Sequence, residues 1–349
     1  MYHYSALINN ISVSKELPLY KLPIILYKCL PLMPVNPLKR MKVIASYLLA
    51  HSKNKSIEVT LPISGEIVLR IRENNYKVIN LKNNNIYTVF DHESEKEIVK
   101  NVSYSKTSKM YEEIFEVDLK QKVIRAAFYN GHHPNLTKAS YKTRKDLEQM
   151  FSNLVISSKT NTVNAQWYGD NLVKTILATL KRNGTFISNK DSAIVKGFVE
   201  DMNMNFSKRS SKENIILTLS HGDIKQDNII QTRKGIILID WEFGGFRTPT
   251  YDYFKFKSRF PHLGDEYFES VLNFVSNELN EEHPQSELNK YFRCFYQKYF
   301  YLNLMEDIEL RLKQFETRDF AKDFNKILKF IEKSQNELLH VRKLSEVKF

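Results

Sequence analysis

The chain has 349 residues, more than a single hydrophobic core usually serves, so two compact parts are expected. Hydrophobic residues at 42% and charged residues at 26% exclude a disordered chain, and two cysteines, Cys29 and Cys294, exclude a disulfide framework or a zinc knuckle. Lys and Arg number 52 against 40 Asp and Glu, and the resulting charge of +12 calls for an anionic partner: nucleotide, nucleic acid, phosphorylated glycan or acidic membrane surface.

Residues 1–55 form a basic leader in which Pro18, Pro23, Pro31, Pro34 and Pro37 forbid one continuous helix. The leader is expected to cap the part that follows. A second reading lays its apolar residues, with Lys39, Arg40 and Lys42, on a membrane surface as a peripheral contact. MYHYSALINN lacks a basic segment followed by an apolar one, so no secretory signal is expected. With few cysteines and no apolar run of about 18 residues, a cytoplasmic protein is expected.

Residues 56–131 read as a β-rich part. Strand runs at Gly65–Arg72, Tyr76–Leu81 and Ile86–Phe90 are separated by Asn-rich turns, a hairpin signature. A helical pattern at 93–104 follows, with Ile98, Val99 and Val102 on one face. Strands at Glu113–Asp118 and Lys122–Tyr129 come next, and Asn130-Gly131 ends the run. Residues 132–349 are mainly helical, with apolar three-to-four spacing at Tyr141–Val155, Gln166–Leu180, Lys190–Met204, Asp265–Leu279, Ser286–Leu312 and Thr317–Leu339. One strand-loop-strand segment, residues 215–241, interrupts them. Strands first and helices later make an α+β chain. His132-His133 has no nearby carboxylate or cysteine and reads as a loop pair rather than a metal site.

That interrupting segment carries the chemistry. Apolar strands Ile215–Leu219 and Ile236–Ile239 flank a polar loop, with Asp223 after the first, Asn228 within the loop and Asp240 at the end of the second. Three oxygen-bearing side chains at strand ends suit a hard cation with a nucleotide, and one carboxylate is left to take a proton from a hydroxyl. Lys225, two residues after Asp223, places a cation beside them.

H-G-D-x-x-x-x-N followed by an apolar strand and I-D-W-E resembles the aminoglycoside phosphotransferase/choline kinase family of the protein-kinase-like fold. The likeness spans most of the chain after residue 55. It implies a bilobal α+β fold with a small antiparallel β lobe and a larger helical lobe that holds a catalytic loop at 221–228 and a metal site at 240. It implies transfer of the γ-phosphoryl group of ATP, with Mg2+, to a hydroxyl of a small molecule or glycan: a sugar, a cell-envelope precursor or a choline-like amino alcohol. Asp223 matches the catalytic Asp, Lys225 a lysine that offsets phosphate charge, and Asn228 and Asp240 the two metal ligands. His221 matches the residue that braces the loop, and Asp252 an Asp that holds the segment after the metal ligand. Trp241, Glu242 and Tyr251, with Phe243 and Arg247, are expected on the acceptor side. Glu306, Asp307 and Glu309, in the aromatic run 291–309, are candidates to receive an amine, although the run also reads as a helix core face.

Departures from the family pattern are informative. The third strand is expected to carry a Lys paired with a Glu on the next helix. Here Thr88 fills that slot, with Lys77 and Lys82, on or at the end of the preceding strand, as the nearest cations and Glu97 as the helix partner. Thr88 motivates the alternative of a non-catalytic kinase-fold nucleotide-binding protein. Gly222 replaces an Arg that reads activation-loop phosphate, and only 12 residues separate Asp240 from Asp252, so a small acceptor is expected rather than a protein. The absence of helix-turn-helix, aromatic RNA-binding and zinc patterns argues against nucleic acid. The +12 charge favours an anionic acceptor.

Overall fold

The computed structural model describes residues 2–5, 11–28, 37–52, 56–70, 75–90, 98–99, 102, 113–156, 160–210, 213–260, 263, 271, 274–278, 288–315 and 320–346. The chain divides into two compact units. Unit 1 comprises Met1–Asn153 with Ile224–Glu242, and unit 2 comprises Leu154–Asp223 with Phe243–Phe349.

Strands β1 (Tyr2–Ser5), β2 (Ile11–Val13), β3 (Ser56–Val59), β4 (Ile67–Arg70), β5 (Tyr76–Asn80), β6 (Asn85–Val89), β7 (Ile114–Asp118) and β8 (Val123–Ala127) belong to unit 1. Further along the chain come β9 (Asn161–Asn164), β10 (Asn214–Ser220), β11 (Ile229–Thr232), β12 (Gly235–Leu238) and β13 (Gly245–Arg247).

In unit 1, six strands form one antiparallel sheet in the order β2-β4-β5-β6-β8-β7. Its tight turns follow from Asn and Asp side chains. Asn80 Oδ1 accepts the Asn83 N–H at 3.1 Å, and Asn84 takes the left-handed conformation at φ 51°. Asp118 Oδ1 does the same for the Gln121 N–H at 2.9 Å. One sheet face buries Ile67, Ile79, Ile86 and Ala126, which are cross-strand partners. The leader packs there: Leu22, Ile25, Leu26, Val43 and Tyr47 join the same core from helices Leu22–Lys28 and Pro37–Ser52. The Tyr47 hydroxyl, fully buried, donates to the Ile11 carbonyl at 3.0 Å. Further along the same face, Ile124 packs with Ile98 and Val102.

Unit 2 joins a three-stranded sheet, β13-β10-β9, to helices Ala165–Arg182, Asn189–Ser210, Tyr251–Arg259, Leu288–Phe315 and Phe320–Glu346. Asn164 caps the first of these, its Oδ1 accepting the Trp167 N–H at 3.0 Å. Leu172, Ile176 and Leu180 repeat on its buried face, as three-to-four spacing requires. Asp265–Leu279, expected as helix, lies largely outside the described residues.

The polar loop between the two expected strands holds a strand of its own. Ile215–Leu219 and Ile236–Ile239 are not a pair. β10 bonds to β9 and β13, whereas β12 bonds to β11, a strand read from sequence as loop. The cause is local. Thr232 and Gly235 close a hairpin over Arg233-Lys234, with Thr232 Oγ1 donating to the Gly235 carbonyl and Gly235 at φ 123°.

Candidate active site

In unit 2, β10 delivers the His221-Gly222-Asp223 loop. His221 is fully buried, and its Nδ1 accepts the Asp223 N–H at 3.2 Å. Gly222 sits at φ 82°, and a Cβ there would stand 2.4 Å from the Phe243 carbonyl oxygen. Positive φ and this close approach both demand glycine, so no arginine can occupy the position.

One helix, Tyr251–Arg259, holds this loop. Asp252 Oδ2 and Oδ1 accept the N–H groups of His221 at 2.6 Å and Gly222 at 2.9 Å. Lys255 Nζ, one turn on, donates to the Gly222 carbonyl at 2.9 Å. A further turn brings Arg259 Nη2 to 3.7 Å from Asp223 Oδ1. Asp252, Lys255 and Arg259 stand at i, i+3 and i+7, on one helix face. Asp252 was expected to hold the segment after Asp240; its hydrogen bonds described here go to residues 221 and 222.

Behind this helix lies a buried ionic network. Lys255 Nζ meets Asp307 Oδ1 at 3.2 Å, and Arg311 Nε meets Asp307 Oδ2 at 2.6 Å. Burial opposes ionisation of Asp307, yet the Lys255 ammonium and the Arg311 guanidinium hold its carboxyl well below the usual range. Burial pushes the Lys255 ammonium down, and Asp307 offsets part of that. Tyr251, expected on the acceptor side, is fully buried with its hydroxyl on Asp307 at 3.0 Å and belongs to this packing. Arg247 is likewise buried, donating to Ser220 Oγ and the Phe243 carbonyl. Glu306, Asp307 and Glu309 are all buried, and Glu309 pairs with Lys313. Among the described residues of this helix, the three acids expected to meet an amine are thus engaged within the unit.

Glu306 gives a pH prediction. It accepts from the Tyr168 hydroxyl, the Thr248 N–H and Thr248 Oγ1, each at 2.7 Å. Burial pushes its carboxyl up to about 7, hydrogen bonds from Thr248 and Tyr168 offsetting part of the rise. The folded chain binds this proton more tightly than the unfolded one. Its contribution is complete below the ordinary value of 4.5 and is lost as pH rises through about 7. Urea unfolding at a series of pH values is expected to show up to roughly 3 kcal/mol lost across that window. Glu306→Gln should flatten this part of the profile.

In unit 1, the segment Ile224–Glu242 carries the remaining candidates. Lys225 is half-buried and precedes a 3-10 turn, Gln226–Asn228. Asn228, buried, leads into β11, and its carbonyl accepts the Ile239 N–H at 3.0 Å. Asp240 follows, half-buried, at φ 68°. Asn228 and Asp240 therefore stand at the same end of one hairpin, and the left-handed Asp is a conformation that marks functional sites. An amide oxygen and a carboxylate are hard donors that fit Mg2+, with further oxygens to come from a ligand. No group of three His, Cys, Asp or Glu suited to a metal occurs among the described residues. Trp241 is buried with its Nε1 donating to the Leu238 carbonyl at 3.2 Å, and Glu242 is half-buried. His132 exchanges backbone hydrogen bonds with Gln231, and His133 Nδ1 lies 2.9 Å from the Ile229 carbonyl, so this pair ties its loop to β11.

On the sheet, Lys77 and Thr88 are direct cross-strand partners, both half-buried. Their row continues to Ile124, which packs with Ile98 and Val102. Lys77 thus shares Thr88's face, the condition for it to act in Thr88's place. Glu97, with Glu93 and Glu95, lies outside the described residues. Lys255 and Arg259 escaped the sequence reading. Their i, i+3, i+7 spacing from Asp252 was the available signal.

No family model and no curated protein matches the sequence. Solved structures do match. A choline kinase from Cryptosporidium parvum Iowa II is similar at 11% identity and TM-score 0.51, over 78% of this chain and 90% of that one. The GDP complex of an aminoglycoside 2'-phosphotransferase is similar at 10% identity and TM-score 0.51, over 80% and 95%. A Plasmodium vivax ethanolamine kinase is similar at 14% identity and TM-score 0.50, over 89% and 93%. The chain has their kinase-like α+β fold.

Proposed function

We propose that the protein is a phosphotransferase that moves the γ-phosphoryl group of ATP, with Mg2+, to a hydroxyl of a small molecule or glycan. The observation that carries this reading is the hairpin end where Ile239 N–H bonds the Asn228 carbonyl and Asp240 follows in a left-handed conformation. Three structures of the same fold are named as a choline kinase, an ethanolamine kinase and an aminoglycoside phosphotransferase with GDP, which supports a nucleotide and a small acceptor.

Mg2+ would supply positive charge that offsets the charge of the nucleotide phosphates. Asn228 and Asp240 would hold it through their oxygens. Asp223 would orient the acceptor hydroxyl and take its proton, so that the oxygen bonds to the γ-phosphorus as the bond from phosphorus to the bridging oxygen breaks and ADP leaves. Lys225 would offset charge on the transferred group, and Lys77 would supply the cation that Thr88 does not, with Glu97 as partner. Trp241 and Glu242 are proposed to border the acceptor. His221 and Asp252 keep the loop in shape and touch no substrate.

Calorimetry tests the metal assignment. ATP titrated into the wild-type protein is expected to bind more tightly with Mg2+ than without, and Asp240→Ala to lose the Mg2+-dependent part. Unchanged Mg2+ dependence in that variant overturns the assignment. A second reading, favoured by Thr88 in the lysine slot, is a nucleotide-binding protein without turnover. Binding without any phosphorylated product would select it.

A further inference from the structure

We infer that the outer face of the leader docks on a bilayer surface that carries anionic lipids, with the helix Pro37–Ser52 lying in the plane of that surface. The inference is independent of the phosphotransferase reading and involves unit 1 alone.

The helix Pro37–Ser52 is apolar on two opposite faces. Val43 and Tyr47 are buried in the core that the leader shares with the sheet. On the other side, Leu38, Met41, Ala45 and Leu49 recur at i, i+3, i+7 and i+11 and line one stripe. Leu38, Met41 and Leu49 are 75%, 65% and 58% exposed. Packing on the sheet uses the first face only. The segment before this helix repeats the division: Leu22, Ile25 and Leu26 are buried, whereas Tyr20 and Ile24 are exposed. Among the described residues, five of the thirteen exposed large hydrophobic side chains thus lie between positions 20 and 49. At 16 residues the helix is too short to span a bilayer core, which takes about 20.

Charge says what covers the stripe. Residues 17–57 contain seven Lys and Arg and no Asp or Glu, more than half of the chain's +12. Lys42, one turn after Leu38, borders the stripe and is exposed, and Lys21 is exposed beside Tyr20. A lipid interface takes both kinds of group. Apolar side chains enter below the headgroups while lysines stay among the lipid phosphates. A nucleic acid would meet the lysines and leave the apolar stripe in water. A second copy would set the segment's positive charge against itself, since a two-fold contact joins like patches.

The test floats the full chain, without nucleotide, on vesicles of phosphatidylcholine alone and of phosphatidylcholine with phosphatidylglycerol. Flotation with the anionic vesicles is expected, weakening as salt is raised. The triple variant Leu38→Ser, Met41→Ser, Leu49→Ser should lower the partition coefficient about 10–100-fold and keep the wild-type melting temperature, because these side chains are exposed. Lys42→Gln should lower it about fivefold. If the triple variant melts early, a polarity-sensitive dye at Leu49→Cys, in a chain with Cys29→Ser and Cys294→Ser, supplies the readout. Its emission is expected to shift to the blue on anionic vesicles. No flotation with anionic vesicles overturns the inference. So does equal flotation with phosphatidylcholine alone, undiminished flotation of a folded triple variant, or a dye that stays in water while the protein floats. A dimer in sedimentation velocity that the triple variant dissolves, without vesicle binding, overturns it in favour of a second copy. Capture of duplex or single-stranded nucleic acid without vesicle binding overturns it in favour of that partner.

Discussion

Replacing Asp223 by Asn is expected to lower phosphoryl transfer by about 10²–10⁴-fold, the share that a positioned general base contributes. The change is close to isosteric and removes the negative charge and with it the ability to accept a proton. The loop keeps its shape, because its supports lie elsewhere: Asp252 on the N–H groups of His221 and Gly222, and Lys255 on the Gly222 carbonyl. The lost attraction to Arg259 across 3.7 Å, with the guanidinium 38% exposed, is worth little to stability. The variant should therefore melt close to the wild-type temperature while its kcat collapses. A variant that keeps wild-type kcat removes Asp223 from the mechanism.

The second large effect is on folding. Asp307→Ala is expected to destabilise the protein by about 3–5 kcal/mol, because it leaves Lys255 without its carboxylate in a buried site. Lys255 is 5% exposed, and the partners described for it besides Asp307 are the Gly222 carbonyl and the Tyr251 hydroxyl. A melting temperature lower by roughly 10 °C follows for a unit of this size. The loss should be smaller in the double variant Asp307→Ala, Lys255→Met, where no cation is stranded. Urea unfolding of the two single variants and the double completes the cycle. Equal losses in Asp307→Ala and the double variant would show that the pair does not act as a unit.

How far the sequence carried depends on the range of the interactions. The sheet of unit 1 was legible from Tyr76 to Ala127 because Asn-rich turns and β-branched runs are local signals, and its strands lie within two residues of the spans expected. β2 and the packing of Leu22, Ile25, Val43 and Tyr47 on the sheet depend on contacts between residues distant in sequence, and no periodicity announces them. β11 was read as loop because Gln231 and Thr232 look polar, although they pair with Ile236 and Gly235. At the candidate site, Asp223, Asn228, Asp240 and Asp252 were legible because their spacing is a motif. Tyr251 was misjudged for a physical reason. Its aromatic ring suits a ligand and a core equally, and only the buried Asp307, 56 residues on, shows that its hydroxyl is spent internally. Arg259 was missed because its spacing from Asp252, i to i+7 on one helix face, gains meaning only once the loop that Asp252 holds is known.

The central claim is that a hydroxyl receives the γ-phosphoryl group with Asp223 taking its proton. The most direct measurement is product mass from Mg-ATP and a panel of sugars, choline, ethanolamine and aminoglycosides, with wild-type protein and Asp223→Asn run side by side. The account predicts an acceptor heavier by one phosphoryl group with the wild-type protein and almost none with the variant. Nucleotide binding with no phosphorylated acceptor from the wild-type protein would contradict it.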